Sequence, residues 1–170
     1  MAMSLDTPEA LSQSNNITLP WNPDKGDLIV HQLTIIRGTE EIDVLASGQK
    51  FTVLRREQQL ERRELTGILT ATIAVEGLRV GDILRLRFST TMKDKALNGR
   101  AQVIQSLIAE PFVIPTAGYR LIWGEGDKVK SKILAEKVVS KPAKKGTLEE
   151  LTIELPLVKQ SELPADAPGR

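Results

Sequence analysis

Apolar and polar residues alternate with a period of two along much of this chain. Residues 83–88 read Ile-Leu-Arg-Leu-Arg-Phe, which places Leu84, Leu86 and Phe88 on one face and Arg85 and Arg87 on the other. A one-residue slip would bury two arginines, so the register of this predicted strand is firmly set. Over residues 65–75 the same period groups Leu65, Gly67, Leu69, Ala71, Ile73 and Val75. Further strands are predicted at 28–36, ending on Arg37-Gly38-Thr39, at 42–45, and at 51–54 after Ser47-Gly48.

The second half is patterned less uniformly. Asn98-Gly99 predicts a tight turn. Residues 101–109 satisfy both a helical face (Val103, Ile104, Leu107, Ile108) and a strand face (Ala101, Val103, Gln105, Leu107, Ala109). Gly124-Glu125-Gly126-Asp127 reads as a turn. A closing hairpin is expected between 133–139 and 148–155 across 141–146, with Leu151, Ile153 and Leu155 inward and Thr152 and Glu154 outward. Residues 55–64 would form a poor helix, because Glu57 would lie beside Glu61; an extended segment with a turn avoids that repulsion.

Turn signals spaced about 8–12 residues apart point to an all-β fold, an antiparallel β-sandwich in a single domain. Its expected extent is residues 17–159. Residues 1–16 are polar and read as a flexible lead-in, with Met1 to Leu5 suggesting an added start. Residues 160–170 hold Pro164 and Pro168 and read as a linker.

Composition narrows the chemistry. The chain has 170 residues, enough for one sizeable core, and its aromatic share is only 4%, so that core falls to Leu, Ile and Val. Its 23 basic and 22 acidic residues balance to +1, which predicts no strong general attraction to nucleic acid or to an anionic membrane. No apolar run approaches the ~18 residues of a membrane helix, so no membrane insertion is expected. With no cysteine and one histidine there is neither a thiolate nor a zinc ligand set. His31 as a general base would need a nucleophile and an orienting carboxylate, and no local motif supplies them. Asn22, Asp24 and Asp27 around Gly26 lack the ligand spacing of a calcium loop and suit a turn that bonds its own backbone. Catalytic residues, metal ligands and cofactors are therefore all expected to be absent.

Two groups remain as candidate interaction residues. Arg55, Arg56, Glu57, Glu61, Arg62 and Arg63 form the densest charge cluster. Arginine forks bind carboxylates bidentately, whereas interleaved signs speak against nucleic acid. Trp21, Tyr119 and Trp123 are the alternative, a stacking surface for polysaccharide or peptide, set against the ordinary use of tryptophan as an anchor with its indole N–H satisfied.

Several of these segments occur together in an order that resembles a bacterial family, domain-of-unknown-function family 3857. The carriers are Phe51-Thr52-Val53-Leu54-Arg55-Arg56-Glu57, Leu60-Glu61, Leu65-Thr66-Gly67, Glu76-Gly77-Leu78-Arg79-Val80-Gly81-Asp82 and Leu84-Arg85-Leu86-Arg87-Phe88. Trp21-Asn22-Pro23, His31 and Arg37-Gly38 join them upstream. The resemblance spans residues 17–123. It implies a non-catalytic accessory domain standing before a transglutaminase-like domain in a longer, exported or envelope-associated protein. That downstream domain is the implied partner. The resemblance also tips 101–109 toward a strand paired with 119–123.

Overall fold

The computed structural model describes residues 1–55, 67–111, 114 and 116–161. The chain resolves into two compact units, Met1–Gln102 and Val103–Arg170. Its described elements are almost all strands, in three antiparallel sheets, as the alternating pattern predicts.

The first unit begins with β1 (Ala2–Ser4) and a short helix α1 (Pro8–Ser14). Thr7 caps the helix: its Oγ1 accepts from the Ala10 N–H at 3.1 Å, and Pro8 follows in the first turn, where its missing N–H costs nothing. The strands that follow are β2 (Asn16–Trp21), β3 (Leu28–Arg37), β4 (Glu40–Asp43), β5 (Thr52–Arg55), β6 (Leu69–Ala74) and β7 (Ile83–Thr90). One sheet runs β1-β7-β3-β4 and the other β2-β6-β5. Arg37 pairs with Glu40, so Gly38-Thr39 is a two-residue hairpin loop, and Gly38 adopts the left-handed φ of +60° that such loops favour.

Both sheets give their apolar faces to one core, as in a sandwich. Leu33 and Ile35 of β3 and Leu84 and Leu86 of β7 come from the first sheet; Ile17 and Leu19 of β2 and Ala71 and Ile73 of β6 come from the second. Leu33 stands opposite Leu86, and Ile35 opposite Leu84. The face predicted for residues 65–75 is buried at Ala71, Ile73 and Val75. Arg85 and Arg87 lie on the opposite face from Leu84 and Leu86, as expected. Arg85 reaches across β3 to Glu41 at 3.0 Å.

Phe88 departs from the expected burial: it is 44% exposed and lies outside the core cluster. It pairs with Val30 toward the end of the sheet, past a β-bulge in β3 between Val30 and Gln32 and beyond the buried pairs Leu33–Leu86 and Ile35–Leu84. The first sixteen residues, expected to be a flexible lead-in, are structured. Leu5 is fully buried in the core, Met3 packs against it, and β1 pairs along β7. Met1, Met3 and Leu5 do alternate, but the run is too short to carry a period and polar residues follow it. β2 was not anticipated either, although Ile17 and Leu19 alternate correctly, because the run is short and closes on Pro20.

The second unit holds β8 (Ala117–Gly124), β9 (Ala143–Lys145) and β10 (Leu148–Leu155) in the order β8-β10-β9. Leu151 and Ile153 are buried and Thr152 and Glu154 exposed, as predicted, while Leu155 is half-buried. Two expectations fail here. Residues 101–109 form no strand with 119–123: Val103 and Ile104 are 60% and 88% exposed, so neither face closes. The segment ends instead in an isolated parallel bridge, Ala109 to Leu157. β8 pairs along its length with β10, which matches Leu121 with Leu151 and Tyr119 with Ile153. The closing hairpin also differs. Residues 133–139 are irregular, and the strand opposite β10 is the shorter β9, joined through the two-residue loop Gly146-Thr147. So short a loop fixes register at less entropic cost than the six-residue connection expected.

Candidate functional site

The most constrained polar arrangement in the first unit joins the end of β3 to the loop before β7. Arg37 is the last residue of β3, and Asp82 immediately precedes β7. The guanidinium grips the carboxylate bidentately: Nε donates to Oδ1 at 2.9 Å and Nη2 to Oδ2 at 2.7 Å. Nη2 also donates to the Gly77 carbonyl at 2.8 Å, and the Arg79 N–H donates to Asp82 Oδ2 at 2.8 Å. On the other side, Leu5 N–H donates to the Asp82 carbonyl and Gly81 N–H to the Leu5 carbonyl. Loop 76–82 is thereby tied to β3 and to the chain entry at once.

Asp82 is 1% exposed. The hydrogen bond from Arg37 holds its carboxyl below the ordinary aspartate range; burial opposes this, and the Arg79 N–H adds to the lowering. A carboxylate so depressed and so fully engaged is a poor general base. What the arrangement does is hold one shape of the surface loop, with Val80 half exposed near its end. Sequence reading had both residues, Arg37 in one motif and Asp82 in another, but no signal for their pairing across 45 positions.

His31 occupies the bulge of β3 and is exposed. Its Nε2 lies 2.7 Å from Ser89 Oγ of β7. The structure thus supplies a hydroxyl partner that the sequence did not reveal. Among the described residues no carboxylate hydrogen-bonds the imidazole, and none places three or more His, Asp or Glu side chains where they could hold a metal ion. Asn22 Oδ1 accepts from the Asp24 N–H at 2.9 Å, and Asp27 N–H donates to Thr91 Oγ1 at 2.9 Å. Of these side chains Asn22 makes a local turn bond, whereas Asp24 and Asp27 contribute backbone N–H groups and the Asp27 bond spans 64 positions. Gly26 itself passes so close to Thr91 that an added Cβ would meet its carbonyl oxygen at 2.0 Å.

Of the candidate charge cluster, Arg55 closes β5, while Arg56, Glu57, Glu61, Arg62 and Arg63 lie outside the described residues. The aromatic candidates separate. Trp21 belongs to the first unit and packs, half-buried, against its core. Tyr119 and Trp123 share a face of β8 in the second unit, opposite Ile153 and Glu149. The Trp123 indole N–H donates to Glu149 Oε2 at 2.9 Å, which satisfies it within the sheet. Both rings are half-buried beside Leu151 and Ile153, the arrangement of an anchor rather than of a stacking platform.

Comparison with known proteins bears on the fold and the family. The model of a family described as a Domain of Unknown Function with solved-structure structure, DUF3857, matches residues 2–161. No curated protein matches. Among solved structures, the crystal structure of a presumed protease from Parabacteroides distasonis superposes with a TM-score of 0.61 at 14% identity. The match covers 100% of this chain and 33% of that one, so the chain spans about a third of that protein's length. At this identity the likeness is one of fold.

Proposed function

The chain belongs to the DUF3857 family, and from that premise we propose that it is a non-catalytic accessory module of a longer bacterial protein, serving a transglutaminase-like catalytic domain. One observation carries this reading: the whole chain is similar in fold to a third of a longer protein, as a module within a multidomain chain would be. Its own residues support the non-catalytic part. There is no cysteine, and the single histidine lies exposed on a sheet surface with a serine but no carboxylate among its described partners. The Arg37–Asp82 ion pair ties a loop in place and engages both of its groups. The stretch from Arg55 to Arg63 is the proposed contact with the neighbouring domain, through the modest, polar interface usual between domains.

Titration calorimetry between this chain and the separately expressed neighbouring domain of its parent protein tests the reading. The expected result is measurable association that weakens on reversing Arg55 and Arg56 to Glu. Association unaffected by the double reversal would remove the cluster from the interface, and no association would overturn the accessory role.

A further inference from the structure

The whole-chain charge of +1 hides a marked asymmetry. Residues 128–145 of the second unit contain seven lysines and one glutamate, a surplus of six, so the remaining residues together carry −5. Lys144 pairs with Glu125, and Lys145 lies 3.9 Å from Glu150. Lys128, Lys130, Lys132, Lys137 and Lys141 are exposed and have no acidic partner among the described residues. The one carboxylate in the stretch is engaged: Glu136 accepts from Ser161 Oγ at 2.8 Å, while its N–H donates to Gln160 Oε1 at 2.7 Å. Ser140 Oγ donates to the Thr152 carbonyl of β10 at 2.6 Å. These bonds tie the segment to β10 and to the chain that follows it, and leave its ammonium groups to solvent.

Apolar side chains emerge among those lysines. Val129 is 41% exposed, Leu134 66% and Val139 87%. Exposed aliphatics interleaved with cations suit the boundary between lipid headgroups and acyl chains, where the ammonium meets phosphate and the aliphatic group leaves water. The choice of cation points the same way. Every basic residue in the stretch is lysine, a point charge suited to a diffuse anionic surface, where arginine would be favoured for bidentate reading of single phosphates. No aromatic residue lies in the stretch to stack on bases, as single-stranded nucleic acid would require.

We infer that residues 128–145 form a docking surface for an anionic lipid bilayer, bound peripherally by lysine charge and shallow burial of Leu134 and Val139. This goes beyond the accessory role above and does not depend on it.

Co-sedimentation of the 170-residue chain with vesicles tests the inference, using phosphatidylcholine alone or mixed in equal parts with phosphatidylglycerol. The chain is expected to pellet with the mixed vesicles only, less as salt is raised. Replacing Lys128, Lys130 and Lys132 by Gln should weaken partitioning by about fivefold per lysine, roughly a hundredfold in all. These side chains are exposed, and an unchanged circular dichroism spectrum would verify that the variant is folded. Leu134→Ser with Val139→Ser should weaken binding while leaving its salt dependence intact. Equal pelleting with both vesicle types would overturn the inference, as would full binding by the triple variant. Tighter association with a DNA duplex than with the mixed vesicles at matched salt would reassign the surface to nucleic acid.

Discussion

The two units solve the same problem with unequal success. In the first, two sheets turn apolar faces toward each other, and eleven of the described apolar residues are buried in one cluster. In the second, one three-stranded sheet buries Leu151, Ile153 and Leu157, while Ile104 and Val139 stand 88% and 87% exposed. Period-two alternation alone does not produce a core; it needs a second face to close against. The first unit has that face and closes a core on it. The second leaves an irregular, lysine-rich surface in water.

Breaking the core of each unit should sharpen this contrast most. Leu86, 1% exposed between the sheets of the first unit, should cost about 2–5 kcal/mol on truncation to Ala. Leu151→Ala in the second unit, with fewer buried neighbours to lose, should fall near the low end, about 2 kcal/mol. Native-state hydrogen exchange offers a check without mutation: amides of β3 and β7 should be protected more strongly than those of β8 and β10. Equal protection would show that the units open together and that the contrast in burial has no energetic consequence.

The same contrast governs how far the sequence could be read. Where two faces close, alternation predicts correctly: Leu84, Leu86, Ala71, Ile73 and Val75 are all where their period puts them. Phe88 fails in burial because period two assigns a face and does not tell where along the strand the core ends. Residues 101–109 and 133–139 fail because their apolar residues are largely left in water, so hydrophobic periodicity carries no information about pairing there. Leu5 fails for the opposite reason, a single apolar residue buried by contacts distant in sequence. The Arg37–Asp82 bond was invisible on the same ground. The family, by contrast, was legible, because its cassette is a matter of residue order and does not depend on knowing which face is closed.

That ion pair gives the next test in order of size, and it should mark the first unit alone. Asp82→Asn keeps the shape but removes the charge on which Arg37 is gripped, and should cost about 1–3 kcal/mol at neutral pH. Because the folded-state pKa of Asp82 lies below its unfolded value, its contribution is fully present above pH ~4 and is lost as pH falls through the folded value. The gap between parent and variant in urea midpoints should therefore narrow on acidification below pH ~4. Asp94, held low by the Ala96 N–H and by Lys25, titrates in the same window, so the variant's acid sensitivity should be reduced and not abolished. A gap that stayed constant down to low pH would mean that Asp82 contributes through shape alone.

The smallest expected effect belongs to His31, and its smallness is informative. The imidazole sits on the exposed side of the bulge, and its described bond is to Ser89 Oγ at 2.7 Å. A surface hydrogen bond of this kind contributes little, so His31→Ala should change stability by less than about 0.5 kcal/mol. The pair nonetheless has the spacing of a nucleophile and its base. What it lacks among described residues is a carboxylate to orient the ring and a buried, dry setting, and without these a serine hydroxyl is not usefully activated. Parent, His31→Ala and Ser89→Ala proteins should therefore give the same background rate with an activated ester. A rate above background in the parent that disappears in both variants would convert this surface contact into a catalytic pair.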